Sequence, residues 1–152
     1  MTEPQNTYKH IFLVDDDQED RELFSEALSK IDENTSLVEI SSGFELIERL
    51  SDPNSLVPDI IFLDINMPKL SGIDCIKKIK SSDIRFKDLE IVILSTYCNP
   101  EDIEEAFEQG VSRYYVKPTL FDNLKEIISG ALENINKSHL LNKSNFLVHY
   151  SA

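Results

Sequence analysis

The chain has 152 residues, 41% of them hydrophobic and 28% charged, with 28 acids against 15 bases and a formal net charge of −13. That length supports one domain with its own core, and the acidic balance disfavours sequence-independent nucleic-acid binding, which needs Lys and Arg to neutralise phosphates. No apolar run approaches the roughly twenty residues of a membrane helix. Residues 1–9 carry no apolar leader, and Cys75 and Cys98 form neither a CxxC pair nor a disulfide framework, so a cytoplasmic protein is expected.

After the polar lead of residues 1–9, residues 11–14 (Ile-Phe-Leu-Val) are apolar at every position, as in a parallel strand covered on both faces. Asp15, Asp16 and Asp17 follow at once. Leu23, Phe24, Ala27, Leu28 and Ile31 then make a helical stripe. Residues 37–40 predict a second strand, and Glu39 inside it marks a sheet edge. Phe44, Ile47 and Leu50 give a short helical stripe before a surface loop at 51–55.

Residues 60–63 form a third, wholly apolar strand that ends at Asp64. Pro68 and Gly72 predict a turn before a helix on Ile73, Ile76 and Ile79, with Cys75 packed beside that stripe. A fourth strand at 91–94 ends at Ser95. The next helix has a clear start in Asn99 as N-cap, Pro100 at the first helical position and the acids Glu101 and Asp102. Its stripe is Ile103, Ala106 and Phe107, and Gly110 is placed to stop it in a left-handed conformation. The acids Glu101, Asp102, Glu104, Glu105 and Glu108 read as its solvated face. A fifth strand at 114–116 runs into Lys117 and Pro118, and Leu124, Ile127, Ile128, Ala131, Leu132 and Ile135 give the last stripe. Strict alternation of strand and helix implies a doubly wound, five-stranded parallel α/β sheet within residues 10–137.

Residues 138–152 fall outside the alternation but contain Phe146, Leu147, Val148 and Tyr150, too apolar for a plain disordered end. Residues 144–151 are expected to form an extended arm. Either a partner subunit, in a homodimer, or the chain's own sheet edge or last helix receives it.

Open α/β sheets place their chemistry outside the carboxyl ends of the strands, where Asp15, Asp16, Asp64, Ser95 and Lys117 all fall. Asp17, nearest the helix start, is read as an acid favoured there by the dipole of the following helix. Two carboxylates about 4 Å apart repel by about 4 kcal/mol at an effective dielectric of 20, and a divalent cation removes that cost. Mg²⁺ fits best, since it takes one or two carboxylates and leaves room for a phosphate oxygen. Asp64 is the candidate nucleophile toward phosphorus, with Lys117 and Ser95 meeting the charge of the transferred group. The scattered His10, His139 and His149 form no metal triad.

The segments Val14-Asp15-Asp16, Leu63-Asp64-Ile65-Asn66-Met67-Pro68, Leu94-Ser95-Thr96 and Tyr115-Val116-Lys117-Pro118 together resemble the receiver domain of bacterial two-component response regulators. The resemblance covers residues 10–134. It implies a flavodoxin-like (βα)5 fold with strand order 2-1-3-4-5 and a phosphoryl group accepted by Asp64 from a histidine kinase or a histidine phosphotransfer protein. It also implies Mg²⁺ held by Asp15, Asp16, Asp64 and the backbone carbonyl of Asn66, with Ser95 and Lys117 as switch partners and Tyr114 as a rotating aromatic. The Lys117–Pro118 bond is cis in typical members. Thr119 departs from the pattern, which often has Phe there, and Tyr97 stands where the family tunes dephosphorylation.

No output domain is expected after Asn134, so output is expected through a downstream protein, through onward phosphotransfer or as a phosphate sink. The loop at 81–90 and the extension resemble those of receivers that serve phytochrome-like kinases. An enzyme alternative, a Mg²⁺-dependent aspartyl phosphatase of the haloacid dehalogenase type, wants a second aspartate two residues after the nucleophile, where this chain has Asn66. A flavodoxin-like FMN carrier would need a hydroxyl- and Gly-rich phosphate loop after the first strand. A receiver that only binds partners is the other alternative. No enzymatic turnover beyond self-dephosphorylation is expected.

Overall fold

The computed structural model describes residues 9–32, 34–81, 86, 89–96, 98–135 and 142–149. Strand β1 (Lys9–Val14) leads into α1 (Gln18–Ile31), β2 (Thr35–Ile40) into α2 (Gly43–Ser51), β3 (Ile60–Leu63) into α3 (Gly72–Lys80), β4 (Glu90–Ser95) into α4 (Pro100–Glu108), and β5 (Arg113–Val116) into α5 (Phe121–Glu133). A single helical turn, α6 (Lys143–Phe146), precedes the two-residue strand β6 (Leu147–Val148). All pairings are parallel, in the order β2-β1-β3-β4-β5-β6. The expected order of the first five strands is present, and a sixth extends it. The Glu39-bearing β2 is the edge that its charge suggested.

Two apolar layers sandwich the sheet. Phe24, Ala27 and Leu28 of α1 and Ile127, Ile128, Ala131 and Leu132 of α5 pack on one face, over Leu13, Phe62 and Leu94. Leu46 and Leu50 of α2, Ile76 and Ile79 of α3 and Ala106 of α4 cover the other, over Phe12, Ile61 and Ile93. Since β1, β3 and β4 meet apolar side chains on both faces, they have no polar alternation. Asn99 caps α4 by accepting the Asp102 N–H at 2.8 Å, and Gly110 has φ +81°. The bonds Gly110 N–H to Phe107 C=O and Val111 N–H to Ala106 C=O close that end as a Schellman motif.

Three expectations are corrected. Phe44 and Leu23 are exposed, whereas Leu46 is fully buried, so the inner face of α2 is turned by about a residue from the Phe44–Ile47–Leu50 stripe. Of the two alternatives expected for the tail, its own sheet edge takes it, but residues 144–146 are helical rather than extended. Asn142 accepts the Ser144 and Asn145 N–H groups and Asn145 returns a bond to the Asn142 N–H, a capping box that winds residues 143–146 into a helical turn. Phe146 then sinks to 1% exposure between Phe107 and Tyr114, and Leu147 and Val148 pair with Tyr114 and Tyr115 at the chain's own sheet edge. Lys143 joins this clasp to α4 through Glu104 at 2.7 Å, and Arg113 donates to the Asn145 carbonyl at 2.6 Å. Finally, no cis peptide bond occurs among the described residues, so Lys117–Pro118 is trans. Tyr150, Ser151, Lys137, His139 and Tyr97 lie outside the described residues.

Candidate functional site

Sheet register builds the site. Val14 of β1 stands opposite Leu63 of β3, so the next residues, Asp15 and Asp64, leave neighbouring strands side by side. The backbone fixes both: the Asp15 N–H donates to the Ile40 carbonyl at 3.0 Å, and the Asp64 N–H to the Val14 carbonyl at 2.9 Å. Farther along the same edge Ser95 stands opposite Val116, and its carbonyl accepts the Lys117 N–H at 2.9 Å. Ser95 is fully buried where β4 ends. The long stem of Lys117 reaches back across the strand ends to the acids.

Each buried carboxylate is held at both oxygens. Asp15 Oδ1 accepts the Asp17 N–H at 2.9 Å and Oδ2 accepts Lys117 Nζ at 2.8 Å. Asp64 Oδ1 accepts the Asn66 N–H at 3.0 Å and Oδ2 accepts Lys117 Nζ at 3.2 Å. Asp16 points outward but still offers an oxygen, and one oxygen each from Asp15, Asp16 and Asp64 lies within 4.8 Å of the others. Among the described residues these three acids form a group able to hold a metal ion. Three hard oxygen donors with one open side suit a hard divalent cation. Asp17 serves α1 as N-cap, accepting the Asp20 N–H at 3.1 Å.

Lys117 relieves the charge of the acids only in part. Burial pushes the Asp15 carboxyl above its ordinary value, helped by the charge of Asp64, while the bonds from Lys117 and Asp17 pull it back in part. Burial pulls the Lys117 ammonium down, but the hydrogen bonds to Asp15 and Asp20 and the charges of Asp64 and Asp15 more than reverse this, so it stays protonated well above the usual lysine range.

Two residues that sequence reasoning passed over belong to this pocket. Asp20, in the first turn of α1, takes the shortest bond from Lys117, at 2.7 Å. Arg21 donates to the Asp15 carbonyl at 2.8 Å and pairs with Glu39 at 3.4 Å, tying the acid turn to β2. The available signal was position, since a residue one turn into a helix that starts at a strand end lies over that end. Gly72 is the third support. A Cβ there would sit 2.7 Å from the Asp64 carbonyl oxygen and 2.5 Å from Ile65 Cα, so α3 packs directly on the backbone that carries Asp64. Lys69, in the same connection, has φ +67°, a left-handed conformation that costs a non-glycine residue about 1 kcal/mol.

A family model described as the response regulator receiver domain matches residues 11–129. The chain belongs to that family. This receiver is 33% identical over 116 residues to the chemotaxis protein CheY1 of Helicobacter pylori, which covers 76% of this chain and 90% of the relative. The crystal structure of the phosphorylated cyanobacterial phytochrome response regulator RcpA superposes with a TM-score of 0.76 at 32% identity, covering 86% of this chain and 96% of that one. The Mn(2+)-bound form of response regulator Rcp1 gives 0.74 at 27%, covering 88% and 97%. The receiver thus has the phosphoacceptor role of two-component signalling. Among its described residues no helix is long and apolar enough to cross a membrane.

Proposed function

We propose that this receiver takes a phosphoryl group onto Asp64 from a histidine kinase or a histidine phosphotransfer protein and passes the signal on through a downstream protein. The observation that carries this is the convergence on Asp64: Lys117 Nζ lies 3.2 Å from Oδ2, and the Asp15 and Asp16 oxygens lie within 4.8 Å of an Asp64 oxygen. An Asp64 oxygen attacks phosphorus, the bond from phosphorus to the donor's imidazole nitrogen breaks, and an acyl phosphate forms. The Asn66 N–H keeps the carboxylate oriented during the attack. Lys117 is protonated and already at the edge of the site, so it meets the added negative charge without being recruited from solvent.

Asp15, Asp16, Asp64 and the Asn66 carbonyl would hold Mg²⁺. Bound there, the ion supplies positive charge that offsets the repulsion between the acids and the incoming phosphoryl oxygens. The all-oxygen donor set and the raised proton affinity of Asp15 support that choice. Rcp1 with Mn(2+) and phosphorylated RcpA are similar proteins that support the same reading. We assign the receiver to residues 10–137 and 138–152 to an extension.

The test is incubation with acetyl phosphate and Mg²⁺, which should add one phosphoryl group that hydroxylamine removes. The same label in Asp64→Ala, or undiminished labelling in EDTA, sinks the assignment.

A further inference from the structure

The Lys117 ammonium has three protons, and three carboxylates take them: Asp20 Oδ2 at 2.7 Å, Asp15 Oδ2 at 2.8 Å and Asp64 Oδ2 at 3.2 Å. Its tightest partner is therefore not the phosphoacceptor but a helix residue outside the strand-end set. From this geometry we infer that Asp20 is a positioning residue, a releasable counter-ion that holds Lys117 on the α1 side of the pocket and competes with a phosphoryl group on Asp64 for the ammonium. The inference rests on the phosphoacceptor reading of Asp64.

With all three donors engaged, an oxygen newly placed on Asp64 gains a bond from Lys117 only as another partner loses one. The partners differ in how easily they let go. The Asp15 and Asp64 side chains are 4% and 8% exposed and are anchored at their other oxygen by backbone N–H groups, whereas the Asp20 side chain is 39% exposed. Asp20 and Lys117 also line a cleft of about 60 Å³ between α1 and α5, bordered by Leu23, Pro118 and Leu124, which leaves the carboxylate room to turn. An exposed carboxylate is stabilised by water when it leaves the ammonium, while a buried one is not. Asp20 is the partner that yields.

Helix geometry makes this a property of the side chain. The Asp20 N–H is bonded to Asp17 and the carboxylate projects from the first turn, so replacing it by an amide leaves the helix start in place. Asp20→Asn leaves only a neutral amide oxygen to compete, and Lys117 becomes available to a tetrahedral anion on Asp64 at no loss to another charge. Such an anion should bind more tightly.

The experiment measures the affinity of beryllofluoride, with Mg²⁺ present, by ¹⁹F NMR in the wild type, in Asp20→Asn and in Glu19→Gln. Glu19 is also an acid of the first turn of α1 and serves as the charge control. The expected result is a Kd about threefold to fivefold lower in Asp20→Asn, the upper scale of one partly exposed ion pair, and unchanged within about twofold in Glu19→Gln. An unchanged or weaker affinity in Asp20→Asn overturns the inference, as does equal tightening in both variants, which would be a general field effect. A wild type that binds beryllofluoride while Asp20→Asn gains nothing leaves the phosphoacceptor reading standing. A wild type that binds none overturns both.

Discussion

Gly72→Ala offers a sharp trial of how the fold holds Asp64. The new methyl would lie 2.5 Å from Ile65 Cα, 2.7 Å from the Asp64 carbonyl oxygen and 2.8 Å from Ile65 Cγ2, and ordinary contact begins at 3.4 Å. Two of the three obstacles are backbone, so no rotamer change relieves them, and α3 and the 64–65 segment must part by about 0.7–0.9 Å. Overpacking of that kind costs roughly 1–3 kcal/mol, which for a domain of this length lowers the melting temperature by about 5 °C. A shift of that size is also enough to stretch the 3.2 Å contact from Lys117 to Asp64 past hydrogen-bond range. Misplacement by an ångström commonly costs orders of magnitude in rate, so phosphorylation by acetyl phosphate should slow by at least about tenfold. Gly130→Ala is the matched control. Nothing lies within 4 Å of the place a methyl would take at that position of α5, and the exchange should stabilise by about 0.5–1 kcal/mol. Thermal melts and single-turnover labelling of the two variants read both effects. A Gly72→Ala protein with wild-type melting and wild-type labelling would refute the claim that α3 positions Asp64.

Other outcomes follow from the same geometry. Phe146→Ala empties a nearly fully buried site between Phe107 and Tyr114 and should cost about 3–5 kcal/mol in urea unfolding, a loss that a dispensable tail would not show. Mg²⁺ at a hundredfold excess over its Kd should stabilise the wild type by about 2.7 kcal/mol, and Asp15→Asn should lose most of that gain in the same melts. Burial pushes the Cys75 thiol up to about 11, so at pH 8 a thiol reagent should modify exposed Cys98 and reach Cys75 only on unfolding. Because the unfolded thiol ionises near pH 9 and the folded one near 11, the contribution of Cys75 to stability should fall as pH rises between them.

The parts of the molecule legible in sequence are those set by local pattern. Wholly apolar runs marked β1, β3 and β4, and the acids or hydroxyl directly after them fell at the sheet edge because every strand runs the same way. Asn99, Pro100 and Gly110 marked both ends of α4 because caps act within one turn. Features that depend on which elements meet were not legible. In α2, Phe44–Ile47–Leu50 and Leu46–Leu50 are stripes about a residue apart in angle, and packing against α3 and the sheet selects the second. Asp20 carries no motif, and its role arises where the β5–α5 connection swings Lys117 over α1. The tail's Asn142 and Asn145 do carry a capping signal, but alternation of Phe146, Val148 and Tyr150 pointed to a longer strand. Phe146 lies in the turn because a pocket beside Tyr114 receives it there.

Under the proposed function, Asp64 alone among four clustered acids receives the phosphoryl group. Acyl phosphates are reduced by borohydride, which converts the modified aspartate to homoserine. Peptide mass spectrometry of receiver labelled with acetyl phosphate and Mg²⁺, then reduced, should find homoserine at position 64, with positions 15, 16 and 20 unchanged. Homoserine at any of those three, or its appearance at position 64 without phosphoryl donor, would contradict the account.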